Sequence, residues 1–311
     1  MQAESIPVID IGRLRHADTL AALDRACRDW GFFQIINHGI PEATIAAIFE
    51  QTHAFFAQPL DVKRQITRTR ENPWGFYDRE LTKNVVDLKQ VYDFGPGHGT
   101  AIRPQWPAGL PAFRGAVQNY YWYCQQLAYR LLAAVSTNFG MSPGFLSRGF
   151  GPGHTSFLRL NYYPVALTPP SSNACRLGVG QHTDAGALTL LLQDDQPGLE
   201  VLRNNQWHLV TPRRDAIVVN IGDIVQIWSN DTYAAAVHRV IASATQPRFS
   251  IPFFLNPEYR TDYAPVPSML SDDRPARYRA INWGEFRRRR ADGDYADYGT
   301  EVQIEHYRIS A

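Results

Sequence analysis

The chain has 311 residues, 44% of them hydrophobic, which is enough to build a sizeable buried core. With 31 basic and 30 acidic residues the net charge is +1, so composition favours neither a nucleic-acid partner nor a membrane surface. No apolar run approaches the roughly 18 residues that cross a bilayer. Three widely spaced cysteines and the absence of a recognisable signal peptide lead us to expect a cytoplasmic protein, either a monomer or a weak homo-oligomer.

The N-terminal third mixes helices with short strands. Residues 6–11 alternate like a strand, and the helix that follows has Asp18 as its expected N-cap and Gly31 at its end. A second strand is predicted over 32–40, and Pro41 opens another helix. A long helix is predicted from about Pro111 to Phe139, where Gly140 stops it.

From about residue 155 onward, short β-type segments alternate with turn signals. Strands are predicted in FLRLNYYPV and in GQHTDAGALTLLLQD, and a hairpin turns at 203–206. AIVVNIGDIVQIW reads as two strands around Gly222, and HRVIAS and RFSIPFFL read as a second hairpin. A short helix is predicted near 282–290. Many short strands at regular spacing indicate a sandwich or a closed jelly roll.

A candidate metal site begins at His182 and Asp184, two residues apart on the predicted apolar strand. Residues at i and i+2 of a strand point to the same side, and a buried charge there needs a partner or a metal. His238, which opens a later strand, completes two histidines and a carboxylate, the ligand set of non-haem Fe(II). A His238 bonded only to backbone remains the alternative.

A candidate anion site follows in PRFSIPFF, where Arg248 and Ser250 share one strand face. A buried guanidinium needs an anion, and its fork matches a carboxylate; an acidic side chain is the alternative partner. In RLNYYP, Tyr163 is placed to donate to the same carboxylate and Asn161 to line the cavity. Tyr163 could instead be a core aromatic.

Taken together and in this order, these segments resemble the Fe(II)/2-oxoglutarate-dependent dioxygenases of the isopenicillin N synthase-like family. IPVIDI and GFFQIINHGIP resemble the family's N-terminal region, and RLNYYP, HTDAGALTLLLQD, NIGDIVQIWSN, HRV and RFSIPFF resemble its catalytic core. The resemblance implies a mainly β fold, a double-stranded β-helix (jelly roll) with a helical N-terminal wrapper. An N-terminal region (1–110) would pack on a catalytic region (111–311) as one unit.

The resemblance also implies the roles of the site residues. His182, Asp184 and His238 would bind Fe(II), and Arg248 and Ser250 would bind the far carboxylate of 2-oxoglutarate with help from Tyr163. O2 would be the second cosubstrate, with ascorbate as a supporting reductant. The expected enzyme oxidises a small organic molecule and releases succinate and CO2, with hydroxylation the default over desaturation and cyclisation.

Two other functions remain open. The first is an oxidase on the same scaffold that does not use 2-oxoglutarate, like isopenicillin N synthase or aminocyclopropane-carboxylate oxidase. In such an enzyme Arg248 and Ser250 would bind a substrate carboxylate. A non-catalytic metal-binding jelly roll is the second alternative.

The substrate is the least determined part. The aromatic content of 12% suggests a largely apolar cavity. Candidate substrate contacts, for which simple packing or surface exposure is at least an equal alternative, are Phe76, Tyr77, Arg79, Phe254 and Asn256.

Overall fold

Two β-sheets dominate the computed structural model, which describes residues 5–82, 85–96, 102–166, 177–293 and 302–309. The strands are β1 (Val8–Asp10), β2 (Phe32–Ile36), β3 (Gly75–Tyr77), β4 (Leu81–Thr82), β5 (Val85–Val86), β6 (Gln90–Phe94), β7 (Phe157–Tyr163), β8 (Leu177–His182), β9 (Leu188–Gln193), β10 (Leu199–Arg203), β11 (Gln206–Leu209), β12 (Ile217–Ile221), β13 (His238–Ile241), β14 (Arg248–Leu255), β15 (Asp262–Tyr263) and β16 (Ile281–Asn282).

Helices surround these strands. They are α1 (Ala17–Asp29), α2 (Glu42–Phe56), α3 (Leu60–Arg64), α4 (Phe113–Asn138), α5 (Asp223–Trp228) and α6 (Trp283–Gly293), with short 3-10 turns at Leu146–Gly149, Pro267–Met269 and Ile304–Tyr307.

The larger sheet has the strand order β1-β2-β12-β9-β14-β7-β6-β3, and the smaller sheet has the order β11-β10-β13-β8. This is the predicted jelly roll. Strands from the first hundred residues, β1 with β2 and β6 with β3, form both edges of the larger sheet. The N-terminal region therefore contributes strands to the sheet as well as helices around it.

Two apolar cores hold the architecture together. Beneath the larger sheet lies α4, whose apolar stripe is buried throughout: Val117, Tyr121, Cys124, Leu127, Leu131 and Val135. A smaller core between the two sheets contains Phe32 and Val218 from one sheet and Val179 and Val240 from the other. The second core shows that the two sheets face each other.

Several predicted boundaries are confirmed and others are corrected. Gly31 and Gly140 follow α1 and α4 with φ of +61° and +72°, in the left-handed region that favours glycine. The 203–206 hairpin is present, with Asn204 and Asn205 at positive φ as a tight turn requires. The N-cap of α1 is His16 rather than Asp18, which lies in the first turn, where its charge favours the helix dipole.

Two strand predictions are wrong. Only the first half of AIVVNIGDIVQIW is a strand (β12), and the second half is the helix α5. Its β-branched residues favoured a strand prediction, but the apolar side chains of α5 are buried in the fold as a helix. The predicted HRVIAS–RFSIPFFL hairpin does not form. The first segment, β13, pairs with β8 and β10 in the smaller sheet, whereas β14 pairs with β7 and β9 in the larger one.

No helix within the described ranges is long and apolar enough to span a membrane. Cys27 and Cys124 are buried free thiols. Cys175 lies outside the described residues.

The centre of the larger sheet should carry much of the folding free energy. Leu190 is fully buried between Val219 of β12 and Phe253 of β14. Leu190→Ala should lower the free energy of unfolding by about 2–5 kcal/mol, because it leaves a cavity that rigid strands cannot close. Urea unfolding followed by tryptophan fluorescence would measure the loss.

Leu209→Ala is the matched control, since Leu209 lies on the edge strand β11 and is 48% exposed. Its cost should stay within about 0.5 kcal/mol. Equal losses in the two variants would contradict the assignment of the core.

Candidate metal centre

The two histidines of the predicted site are direct neighbours across the smaller sheet. His182 is the last residue of β8, His238 is the first of β13, and the two are antiparallel register partners. Asp184 does not continue the strand as predicted, because β8 ends at His182 and β9 begins only at Leu188. The turn between these strands, and not strand alternation, brings the carboxylate to the histidines.

Together the three side chains form a compact ligand set. One ligand atom from each of His182, Asp184 and His238 lies within 4.8 Å of the others. Asp184 Oδ1 is 3.6 Å from Nε2 of His182 and 3.8 Å from Nε2 of His238. Separations of this size suit three ligands around one ion, since metal–ligand bonds are near 2 Å.

Backbone carbonyls set the orientation of both imidazoles. Nδ1 of His182 lies 2.8 Å from the carbonyl oxygen of Gly180, and Nδ1 of His238 lies 2.9 Å from that of Ala236. A carbonyl can only accept, so each Nδ1 carries the proton and each Nε2 presents its lone pair to the site. Partners of this kind are typical of metal-binding histidines.

Burial and the neighbouring charges decide the protonation of the site. Burial, followed by the neighbouring His182, lowers the pKa of His238 from 6.5 to about 4, although Asp184 opposes the shift. Burial raises the pKa of Asp184, but the two histidines and a hydrogen bond from Thr189 outweigh it and hold the pKa well below its usual range. Neutral imidazoles beside an ionised carboxylate are the forms that bind a metal.

Two residues outside the predicted set hold Asp184. Its Oδ2 accepts hydrogen bonds from Thr189 Oγ1 at 2.5 Å and from Asn220 Nδ2 at 2.8 Å. Sequence reasoning missed both as functional residues. The signal was a polar residue within each of two apolar strands, at positions that only the pairing of β9 with β12 brings together.

A cavity of about 80 Å³ between the two sheets joins this ligand set to Arg248 and Ser250. Arg248 is 1% exposed and its Nη2 donates to Gln193 Oε1 at 3.0 Å, but Nε and Nη1 have no protein partner. Buried guanidinium donors without an acceptor are costly unless a ligand supplies one. The geometry therefore fits an anion bound between Arg248 and the ligand set.

Asn161 and Tyr163 lie in the same cavity, on β7 beside β14. Asn161 Nδ2 donates to Ser250 Oγ at 3.2 Å, which orients that hydroxyl. The guanidinium of Arg248 lies over the ring of Tyr163, 5.2 Å from its centroid. Both residues therefore lie in the cavity beside Arg248 and Ser250.

A second cavity of about 140 Å³ adjoins the first and is also lined by His182 and Asp184. Phe254 and Asn256 of the predicted substrate contacts line it. The other three candidates are not among the residues that line either cavity: Phe76 is fully buried in the core, Tyr77 packs under the Arg68 guanidinium, and the side chain of Arg79 is 73% exposed. Periodicity alone could not distinguish these environments.

The wall of this larger cavity is charged, contrary to the expected apolar lining. Glu80 accepts from Arg159 through both oxygens at 2.8 Å and pairs with Lys89 at 2.6 Å. The same carboxylate pairs with Arg68 at 2.7 Å, and these cations hold the pKa of Glu80 well below its usual range despite its burial. Glu80, Lys89 and Arg159 all line the cavity.

Family models match two parts of the chain. The model of the 2OG-Fe(II) oxygenase superfamily matches residues 154–257, and the model of the non-haem dioxygenase in morphine synthesis N-terminal region matches residues 6–109. Flavanone 3-dioxygenase 2 from rice (Oryza sativa subsp. japonica) is 33% identical over 288 residues, covering 90% of this chain and 82% of the relative.

Solved structures share the fold over nearly the whole chain. The structure of JOX2 in complex with 2OG, Fe and JA has a TM-score of 0.85 and 30% identity, covering 99% of this chain and 90% of its own. A full-length Neurospora crassa protein in complex with alpha-KG and thymine has a TM-score of 0.81 and 26% identity, with coverage of 90% and 94%.

Without metal, the protein should become less stable below neutral pH. The folded pKa of His238, about 4, lies below its ordinary 6.5, so between these values the unfolded chain binds a proton that the folded chain excludes. The contribution is complete above pH 6.5 and is lost as the pH falls towards 4. Between pH 7 and 4.5 it should amount to about 2 kcal/mol.

Urea unfolding of the chelator-treated protein at several pH values would measure this loss, and His238→Gln is the comparison. The variant should show a shallower pH dependence in this window. Identical slopes for the two proteins would contradict the neutral, buried imidazole.

Proposed function

This chain belongs to the 2OG-Fe(II) oxygenase superfamily and is an oxygenase dependent on Fe(II) and 2-oxoglutarate, and we propose how its residues divide that work. His182, Asp184 and His238 bind the iron. Arg248 and Ser250 bind the far carboxylate of 2-oxoglutarate, with Tyr163 and Asn161 beside them. The reaction proposed is hydroxylation of a small organic molecule, with release of succinate and CO2.

The metal assignment is supported by the donor set. Two imidazole nitrogens with exposed lone pairs and one carboxylate oxygen suit Fe(II) and leave coordination positions open for cosubstrates. Fe(II) bound here would activate O2 at the expense of 2-oxoglutarate and so supply the oxidant. The three side chains would hold the ion. His238 and Asp184 are each less than a tenth exposed, so the surrounding fold keeps bulk water away from both ligands.

One observation carries the cosubstrate assignment, namely the unpartnered Nε and Nη1 of the buried Arg248 in a cavity shared with the ligand set. A dicarboxylate that reaches from the ligand set to this guanidinium would satisfy both donors. The fork of Arg248 matches a carboxylate, and the Ser250 hydroxyl can donate to the same group while accepting from Asn161.

For the substrate we propose the larger cavity, with Phe254 and Asn256 as contacts. Phe254 stacks on Phe157 at 4.6 Å and presents an apolar surface beside the ligand set. Asn256 is 3% exposed, and its Oδ1 has no protein partner. This combination favours a small molecule with an apolar body and a hydrogen-bond donor. Hydroxylation is the default reaction, and ascorbate would act only as a supporting reductant.

The protein should work on small molecules alone, as a monomer or weak homo-oligomer and without a nucleic-acid partner. The net charge of +1 supports the absence of a nucleic-acid partner, because a nearly neutral chain has little overall attraction for a polyanion.

The cosubstrate proposal predicts an absorption band. Under anaerobic conditions, a weak visible band should appear only when both Fe(II) and 2-oxoglutarate are present. Arg248→Met should weaken 2-oxoglutarate binding by about 2–5 kcal/mol, because a buried charge-assisted pair is lost. Titration of the band with 2-oxoglutarate would measure the change.

Arg239→Met is the matched control, since Arg239 lies on β13 and pairs with Glu200 at 2.7 Å instead of facing the cavity. It should bind 2-oxoglutarate like the wild type. If iron binds but 2-oxoglutarate produces no band and no succinate forms, then Arg248 and Ser250 bind a substrate carboxylate, and the enzyme is an oxidase of the isopenicillin N synthase type.

A further inference from the structure

The two oxygens of the Asp184 carboxylate have different surroundings. Oδ1 faces the Nε2 atoms of both histidines, whereas Oδ2 accepts hydrogen bonds from Thr189 and Asn220. Two donors on one oxygen leave little lone-pair density there for a metal. The carboxylate is therefore oriented before any ion arrives.

Strand pairing creates this arrangement. Thr189 of β9 and Asn220 of β12 are register partners in the larger sheet and are 5% and 3% exposed. Just beyond β12, the backbone N–H of Asp223 donates to the carbonyl oxygen of Asp184 at 2.8 Å. The C-terminal end of β12 and the residues just after it therefore hold both the side chain and the backbone of Asp184.

We propose that Thr189 and Asn220 are positioning residues that restrict Asp184 to binding the iron through Oδ1 alone. Carboxylates bind metals through one oxygen or through both. A second bond from Oδ2 would occupy a coordination position that the cosubstrates need. This inference rests on the proposed function, since it presupposes that the three ligands bind a metal.

The chain offers variants that separate this role from simple packing. Thr189→Val keeps the shape but removes the hydroxyl, whereas Thr189→Ser keeps the hydroxyl and loses a methyl group. Asn220→Leu removes the second donor at similar volume. Thr52→Val is the matched control, because Thr52 is equally buried and its hydroxyl donates to Ile48 in α2, within a helix.

The first readout is Co(II) binding to the purified full-length protein, titrated anaerobically by visible absorption. The wild type should bind one Co(II) per chain. Thr189→Val and Asn220→Leu should each bind about 10–100-fold more weakly, as is usual when a partner of a metal ligand is removed. Thr189→Ser should bind several-fold more tightly than Thr189→Val, and Thr52→Val should match the wild type.

The second readout is 2-oxoglutarate affinity at saturating Co(II). Thr189→Val and Asn220→Leu should bind 2-oxoglutarate more weakly, because Oδ2 then competes for an open position, and the intensity of the Co(II) bands should change with coordination number. A purely structural role would lower thermal stability without affecting either property of the metal-loaded protein.

Wild-type 2-oxoglutarate affinity together with unchanged Co(II) band intensity in Thr189→Val and Asn220→Leu would overturn the inference, and so would equal effects in Thr189→Ser and Thr189→Val. Failure of the wild type itself to bind Co(II) would overturn the proposed metal site and this inference with it. The wild-type titration thereby distinguishes the two failures.

Discussion

Burial of the Asp184 carboxylate is the constraint on which the rest of the site depends. An ionised carboxylate inside a protein is unfavourable unless charges and hydrogen bonds compensate it. Here Oδ2 is compensated by hydrogen bonds from Thr189 and Asn220, whereas Oδ1 faces the Nε2 atoms of the two histidines, where a bound metal ion would compensate it. Since these partners come from β8, β9, β12 and β13, the carboxylate can be buried only where both sheets are in place.

The facing sheets also explain why the Arg248 guanidinium lies so close to His182, Asp184 and His238. The histidines belong to the smaller sheet and Arg248 to the larger one, and the 80 Å³ cavity separates them. A hairpin between β13 and β14 would have placed these side chains along one surface. Because the chain crosses between sheets instead, the guanidinium and the ligand set approach from opposite walls, as a ligand held at both ends requires.

The sequence predicted α4, the 203–206 hairpin and the residues that meet at the smaller cavity, namely His182, Asp184, His238, Arg248 and Ser250, because each rests on local spacing or on a residue type with few alternatives. It did not predict how these parts meet. Ile224 and Val225 favour a strand by composition, yet tertiary burial makes them helical. Thr189 and Asn220 are 31 positions apart, and their shared acceptor appears only with sheet register. The sequence around Phe76 is equally compatible with a pocket residue and with a core residue.

The charged wall of the larger cavity was also not predicted from the sequence, and it affects which substrates the cavity can accept. Glu80, Lys89 and Arg159 are each unfavourable when buried alone, but their mutual pairing makes the cluster tolerable and fixes its side chains. Burial opposes the charge of Lys89, but Glu80 and Asp87 raise its pKa, so the ammonium persists. A substrate bound in this cavity would meet the charged cluster and the stacked rings of Phe157 and Phe254 next to each other, since the Arg159 guanidinium lies over the Phe157 ring, 5.8 Å from its centroid. On the proposal that the substrate binds in this cavity, the charged and aromatic groups of the wall would together orient a molecule that carries both polar and apolar groups relative to the ligand set. Selectivity for one carbon atom can therefore arise from electrostatics in the wall even though the oxidant itself is indiscriminate.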